Sequence, residues 1–302
     1  PTAGRPAKTR VLGAALWWLG VCPPQLRAYM CHRVCATGRR RQNPALAKED
    51  HHTMARTVLK ISGSDAIGFL QGLITNDMAK LAQGPVYAAL LTPQGKYLAD
   101  FIVSAAPGAD AGALLDVDSS LAPMLAQRLS MYKLRADVQI TDSGLQVRRG
   151  TGPAPEGALP DPRHPALGWR LYGTEAGEDG TNFLALRVAH MVPETGIELG
   201  ADSYILEMGF ERLNGVDFRK GCYVGQEVTA RMKHKTELKK GLALIALDGV
   251  AQPGTVLTDA NGKEAGQVHS VCEDRALAYL RFDRATGPLQ AGGARAQLLE
   301  RG

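Results

Sequence analysis

The segment Lys220-Gly221-Cys222-Tyr223-Val224-Gly225-Gln226-Glu227 holds the strongest chemical potential in the 302-residue chain. A thiol set among glycines can approach a ligand or metal closely, because glycine lets the backbone bend where other residues resist. Lys220, two residues ahead, with Arg231 and Lys233 soon after, would favour the thiolate, the form that acts as nucleophile or metal ligand. The plainer reading of Cys222 is a small buried apolar side chain. Glu227 and Arg231 stand four residues apart and pair if the segment is helical.

The elements that must position this segment lie on both sides of it. From Ser64, Phe69, Leu70, Leu73 and Ile74 recur at helical spacing and predict a core-facing helix ending near Thr75-Asn76-Asp77. Residues 86–91 and 97–103 read as strands around Thr92-Pro93-Gln94-Gly95, a turn with Pro second and Gly fourth. A strand at 113–117, a helix carrying Leu121, Met124, Leu125 and Leu129, and a strand near 136–140 complete a first unit, 54–150. The Pro- and Gly-rich stretch 151–165 opens a second unit, 151–238, with a strand near 168–172 and helices near 182–191 and 203–213. From 239 to 302, short strands at 242–247, 255–258, 267–271 and 276–282, with turns such as Asn261-Gly262, predict a small β-barrel. Helices mixed with hairpins predict an α+β fold with antiparallel sheets, not a doubly wound one. Neither a dinucleotide fingerprint nor a phosphate loop is present.

Composition, 45% hydrophobic and 22% charged, is that of a globular protein. The longest apolar run, residues 11–22, falls short of the ~20 residues that span a bilayer, so no membrane partner is expected. The net charge of +5 is unevenly placed: residues 1–53 hold nine of the 35 Lys and Arg but two of the 30 acids. The body is nearly neutral, which argues against direct nucleic-acid binding. Cys22, Cys31 and Cys35 lie in the front segment and only Cys222 and Cys272 in the body, a usage that suits a reducing compartment rather than a disulfide framework. Residues 1–53 read as an over-extended gene start, a transit-like segment or a real appendage, and are set apart from the fold. Cys31 and Cys35, with His32 between, supply too few ligands for a metal clip, and no metal is expected.

The run NGVDFRKGCYVGQEVTARMKHK, residues 214–235, resembles the signature of the YgfZ family, folate-binding assembly or repair factors for iron-sulfur proteins. That family is similar to the aminomethyltransferase, or T-protein, of glycine cleavage. The likeness continues through FLQGLITNDM, LLTPQGKYLADF, DPRHPALGWR and YILEMGFERLNGVDF. It implies a ring of α+β units around a central folate pocket, closed by the C-terminal barrel. The implied cofactor is tetrahydrofolate or a derivative. The implied partners are iron-sulfur assembly or client proteins, four-iron ones above all, and in bacteria RNA-thiolating enzymes. The setting would be the bacterial cytoplasm, or the mitochondrial matrix if the front segment is a transit peptide.

Residue by residue, the resemblance makes Cys222 the functional thiol. Glu207 in YILEMG aligns with the T-protein glutamate that meets the pterin, whose amide-plus-amino edge a carboxylate can match; otherwise it is an exposed helical glutamate. Asp100 in GKYLADF stands where the T-protein has its catalytic acid and would face the folate N5 and N10 region; otherwise it is a solvated strand residue. Asn76, Lys220, Tyr223, Gln226 and Arg231 complete the candidate cofactor-side residues. The basic stretch Arg231, Lys233, His234, Lys235, Lys239, Lys240 could draw a folate glutamate tail or an acidic partner, or be a solvated hinge. A four-iron cluster usually takes four cysteines, so a body with two cannot hold one alone. An accessory factor is therefore expected, with a folate-dependent aminomethyltransferase or other one-carbon transferase as the alternative.

Overall fold

The computed structural model describes residues 55–107, 112–235 and 237–302. The front segment with its Cys31 and Cys35 pair, and Met54 itself, lie outside the described residues. Five strands, β1 (Arg56–Ser62), β2 (Val86–Leu91), β3 (Tyr97–Ala105), β4 (Gly112–Asp118) and β5 (Gln139–Asp142), form a sheet in the order β2-β3-β4-β1-β5. Every neighbouring pair in it is antiparallel. Helices α1 (Ala66–Gln71) and α2 (Ala122–Lys133) cover it, burying Leu70, Leu125 and Leu129 against Leu90, Phe101 and Leu115. The α1 helix stops earlier than its apolar spacing suggests, because Ile74 leaves it to bridge Leu90 on β2. The turn between β2 and β3 is the expected one: Gly95 donates to the Thr92 carbonyl at 2.8 Å from a left-handed φ of 75°.

A second sheet, ordered β7-β8-β6-β9, comprises β6 (Gln146–Gly150), β7 (Leu159–Pro160), β8 (Trp169–Gly173) and β9 (Gly177–Glu178). Only β6–β9 is parallel. A buried ionic chain fastens this sheet to the first. Asp116 of β4 takes Arg56 and Arg170 at 2.6 Å, and Arg170 and Arg163 both reach Asp161. Burial alone would raise the Asp116 carboxyl, but Arg170 and Arg56 together hold it below the usual range.

Helix α3 (Phe183–Ala189) starts at Asn182, whose side chain accepts from the Ala185 amide, a good N-cap. The helix expected over 203–213 is instead a run of tight turns. Gly209 sits at φ 75°, and the bonds Met208 to Ile205, Phe210 to Ile205 and Gly215 to Phe210 change span from one to the next. Ile205, Leu206, Met208, Phe210 and Leu213 are all buried, so their apolar spacing marks core and not one helical face.

Helix α4 (Gln226–Lys235) follows, and β10 (Lys240–Asp248), β11 (Val256–Thr258), β12 (Glu264–Cys272), β13 (Arg275–Arg281), β14 (Leu289–Ala291) and β15 (Ala294–Arg301) close a six-stranded barrel. The fold is α+β with antiparallel sheets and this barrel at the C-terminus. Arg187 of α3 anchors it, bonding Glu194 at 2.6 Å and Glu198 at 2.7 Å, while Ser270 of β12 donates to the other Glu198 oxygen at 2.5 Å.

Candidate functional site: the cysteine loop and two carboxylates

Three clamps hold the cysteine loop. The first lies just ahead of it, where Asn76 is buried with both ends engaged. Its amide donates to the Tyr87 and Asn214 carbonyls at 2.8 and 2.6 Å, and its oxygen accepts from the Asp77 amide and Lys80. Thr75 beside it donates to the Gly215 carbonyl at 2.7 Å, so the ITND and NGVDF motifs are parts of one contact. The second clamp is Lys220, whose ammonium donates to the Gln71 and Ile74 carbonyls at 2.7 and 2.5 Å. It thereby satisfies acceptors left open at the end of α1. Burial pushes the Lys220 ammonium down to about 8 despite nearby Asp77 and Asp217. The charge expected to act on the thiol is thus engaged by backbone.

The third clamp joins the loop to the β2–β3 turn. Gly225 stands at φ 83°, and a Cβ there would come 2.6 Å from the Thr92 carbonyl and 3.1 Å from the Gly95 Cα. A Cβ on Gly95 would come 2.9 Å from the Val228 Cβ. Backbone meets backbone here, which only glycine permits. Tyr223 is buried in the core, where desolvation raises its phenol, and the Lys220 ammonium lies 5.0 Å from its ring centre. Between these fixed points Cys222 is exposed. Gln226 opens α4, half-buried, and Arg231 pairs with Glu227 at 2.8 Å on an exposed face. The other described cysteine, Cys272, is half-buried at the end of β12.

Asp100 is buried on β3 and enclosed by hydroxyls. Tyr97 and Thr195 donate to Oδ1 at 2.6 and 2.8 Å, and Tyr87 to Oδ2 at 3.0 Å. Burial first, and the Asp100 charge second, drive both tyrosines upward, so they stay protonated donors. Sequence reasoning picked Asp100 but neither tyrosine nor Thr195; Tyr97, three residues before Asp100, is the one with a local cue.

Glu207 lies in one of the turns that replace the expected helix. Its side chain is buried, facing a cavity of about 690 Å³ against the barrel, lined also by Lys239, Lys240, Tyr279, Arg281 and Arg284. Tyr279 donates to Oε2 at 2.5 Å and Lys240 lies 3.9 Å from the same atom, while no described residue donates to Oε1. Burial, then the Glu207 bond and charge, raise the Tyr279 phenol. Of the basic stretch, Lys239 and Lys240 line this cavity, whereas Arg231 and Lys233 pair with Glu227 and Glu211 outside it. Asp100 and Glu207 have different hydrogen-bond partners. Among the described residues no group of three or more His, Cys, Asp and Glu is placed to hold a metal ion.

With this geometry in hand, the likeness to known proteins is specific. Residues 239–300 match the family described as CAF17, C-terminal beta-barrel domain. The chain is 31% identical over 288 residues to the iron-sulfur cluster assembly factor IBA57, mitochondrial, of Mus musculus, covering 81% of this chain and 80% of that one. It is 34% identical over 244 residues to the iron-sulfur cluster assembly factor IBA57 homolog, mitochondrial, of Mycosarcoma maydis, covering 70% of this chain and 60% of that longer protein. Its fold is similar to that of the glycine cleavage system aminomethyltransferase T from Bartonella henselae, with a TM-score of 0.63 over 81% of this chain and 82% of that one. At 13% identity that likeness concerns fold alone.

Proposed function

The chain belongs to the IBA57 family of iron-sulfur cluster assembly factors, and on that premise we propose that it assists assembly or repair of iron-sulfur proteins, chiefly four-iron ones, through Cys222. The family is IBA57 and not YgfZ, a related family of the same fold; the cysteine motif points one family aside. The bacterial cytoplasmic setting and the link to RNA thiolation attached to YgfZ are therefore withdrawn. The word mitochondrial in the relatives' names supports a mitochondrial setting instead.

The observation that carries the reading is an exposed thiol on a loop whose backbone is fixed at three points. A thiolate that must meet a cluster or a second protein needs access together with a preset position. Cys222 offers one ligand, so the remaining ligands of a four-iron substrate come from another protein. Cys222 acts in the shared complex as a ligand or an exchanging thiol.

A reduced folate fits the cavity at Glu207. Oε1, to which no described residue donates, can accept from a pterin N–H, Tyr279 orients the carboxylate, and Lys239 and Lys240 suit the anionic tail. Tetrahydrofolate, when bound, supplies an electron-rich reduced pterin. The surroundings of Asp100 favour the accessory factor over the transferase, because an acid working on folate would have to give up three hydroxyl donors.

The test is complementation in cells lacking the protein. Cys222→Ala should fold and bind tetrahydrofolate as the wild type does, yet leave four-iron enzymes inactive. Full restoration by that variant overturns the proposal. Methylene transfer from an aminomethyl carrier, abolished by Asp100→Asn and untouched by Cys222→Ala, would establish the transferase instead.

A further inference from the structure

The end of α2 carries a surface that the cysteine loop does not explain. Met131 is 63% exposed, Tyr132 36% and Leu134 89%, three large apolar side chains within four residues. Exposed apolar residues scattered singly are ordinary, but a contiguous group marks a contact surface. Leu134 is also held at φ 46°, ψ −105°, at the C-terminal cap of α2. A side chain with a Cβ is disfavoured at such a positive φ, a region that glycine enters without steric cost. On intramolecular grounds Leu134 is therefore unfavourable twice, through its exposure and through its backbone.

The charges on the last turns of α2 and just after it are basic, up to the exposed Asp137, which feels the charge of Lys133. Arg128, four residues before Tyr132 on the same helical face, and Arg135 are exposed, and Lys133 is half-buried between Tyr132 and Leu134. From residue 119 to 136 the sequence holds no acid. Among the described residues neither arginine reaches a carboxylate within ion-pair distance, although the nearly neutral body has many to offer. The acids that flank the patch, Asp65 and Asp137, are partly engaged: Asp137 accepts from the Ser64 amide and hydroxyl and faces the charge of Lys133, and the Asp137 amide donates to Asp65, which leaves Arg128 and Arg135 as the patch's cations without a carboxylate among the described residues.

We propose that the C-terminal turn of α2 is a docking patch for a partner protein that presents an apolar recess edged by carboxylates. Met131, Tyr132 and Leu134 fill the recess, and Arg128, Lys133 and Arg135 meet its rim. Tyr and Arg are the residue types that dominate such contacts. A second copy of this chain is disfavoured, since symmetric pairing would oppose cation to cation. A bilayer is disfavoured too. Ala122, Leu125 and Leu129 hold α2 against the core, and Tyr132, seven residues after Leu125, stands at the edge of that buried stripe, so only a short tip of the helix could meet a bilayer.

The experiment compares Leu134→Gly and the pair Arg128→Glu with Arg135→Glu against wild type, in the full chain. A photo-crosslinking benzoylphenylalanine replaces Tyr132 in cells that depend on the protein. Leu134→Gly should raise Tm by about 2 to 4 °C by relieving the backbone, and still cut both the crosslink and the restoration of four-iron enzymes at least fivefold. The charge pair should do the same with Tm unchanged, and the adduct should map to a carboxylate-rich segment of one protein. Undiminished restoration by both variants overturns the proposal. So does a dimer in sedimentation that Leu134→Gly abolishes, or flotation of the wild type with phosphatidylcholine–cardiolipin vesicles that the same change abolishes. The readout rests on the iron-sulfur role, but Cys222→Ala should lose restoration while keeping the crosslink, so failure of the patch and failure of that role give different results.

Discussion

Replacing Gly225 with alanine should break the joint between the cysteine loop and the β2–β3 turn. Its backbone is at φ 83°, a left-handed conformation that costs an L side chain about 1 to 2 kcal/mol. The added Cβ would stand 2.6 Å from the Thr92 oxygen and 3.0 Å from the Leu91 Cβ. The Thr92 carbonyl cannot simply retreat, because it accepts the Gly95 amide at 2.8 Å within a tight turn. Relieving such overpacking costs roughly 1 to 3 kcal/mol, so the loss comes to about 2 to 5 kcal/mol, a large share of a typical stability of roughly 5 to 15 kcal/mol. Gly221, at the other side of the cysteine, is the internal control. A Cβ there would meet no atom within 4 Å and the backbone is not left-handed, so Gly221→Ala should change stability by less than about 0.5 kcal/mol. Urea unfolding of the two variants beside the wild type measures the difference. If Gly225→Ala unfolds at the same midpoint as Gly221→Ala, the joint is not a close backbone contact and the preset position of Cys222 loses its basis.

Lys220→Met leaves the Gln71 and Ile74 carbonyls without their donor and should cost about 1 to 3 kcal/mol. The same change should alter the alkaline profile. Burial lowers the folded Lys220 ammonium to about 8, below its unfolded value, so between pH 8 and about 10.5 the unfolded chain binds the extra proton and wild-type stability rises with pH. Urea midpoints at pH 7.5 and 9.5 should therefore separate more for wild type than for Lys220→Met, and parallel shifts would refute the assignment. Glu207→Ala removes the acceptor facing the cavity and should weaken tetrahydrofolate binding tenfold or more, equivalent to about 1 to 3 kcal/mol; unchanged affinity in calorimetry takes Glu207 out of the site.

Local signals carried much of the fold. The β2–β3 hairpin is written in Thr92-Pro93-Gln94-Gly95, and four barrel strands follow from β-rich runs between turns. Strands β14 and β15 escaped because alanines at 291, 294 and 296 fill their inward positions, and alanine gives little hydropathy contrast. Strand β6 escaped for a different reason: Gln146, Arg148 and Arg149 dominate its sequence, and only Val147 and Gly150 turn inward. The turns at 203–213 look helical because Ile205, Leu206, Met208, Phe210 and Leu213 are all core. At the site, Cys222 and its glycines were legible, but the work of Lys220 was not. Its acceptors lie 149 and 146 residues earlier in the chain, and tertiary proximity of that kind leaves no local pattern. Tyr279, the partner of Glu207, was hidden in the same way, 72 residues along the chain.

The ionic knot of Arg187, Glu194, Glu198 and Ser270 bears on how such a protein can be taken apart or recombined. Residues 239–300 match a barrel family in their own right, which invites treating them as an exchangeable module. Yet Ser270 belongs to the barrel and donates to a carboxylate that balances a buried cation on α3. A foreign barrel grafted at that seam would need a hydroxyl at the same register, or it would strand an oxygen of Glu198 in a dry interior. Heredity of the barrel and heredity of the Arg187 pocket should therefore travel together, and chimeras that join them from different parents should fail at this seam before they fail at the cysteine loop.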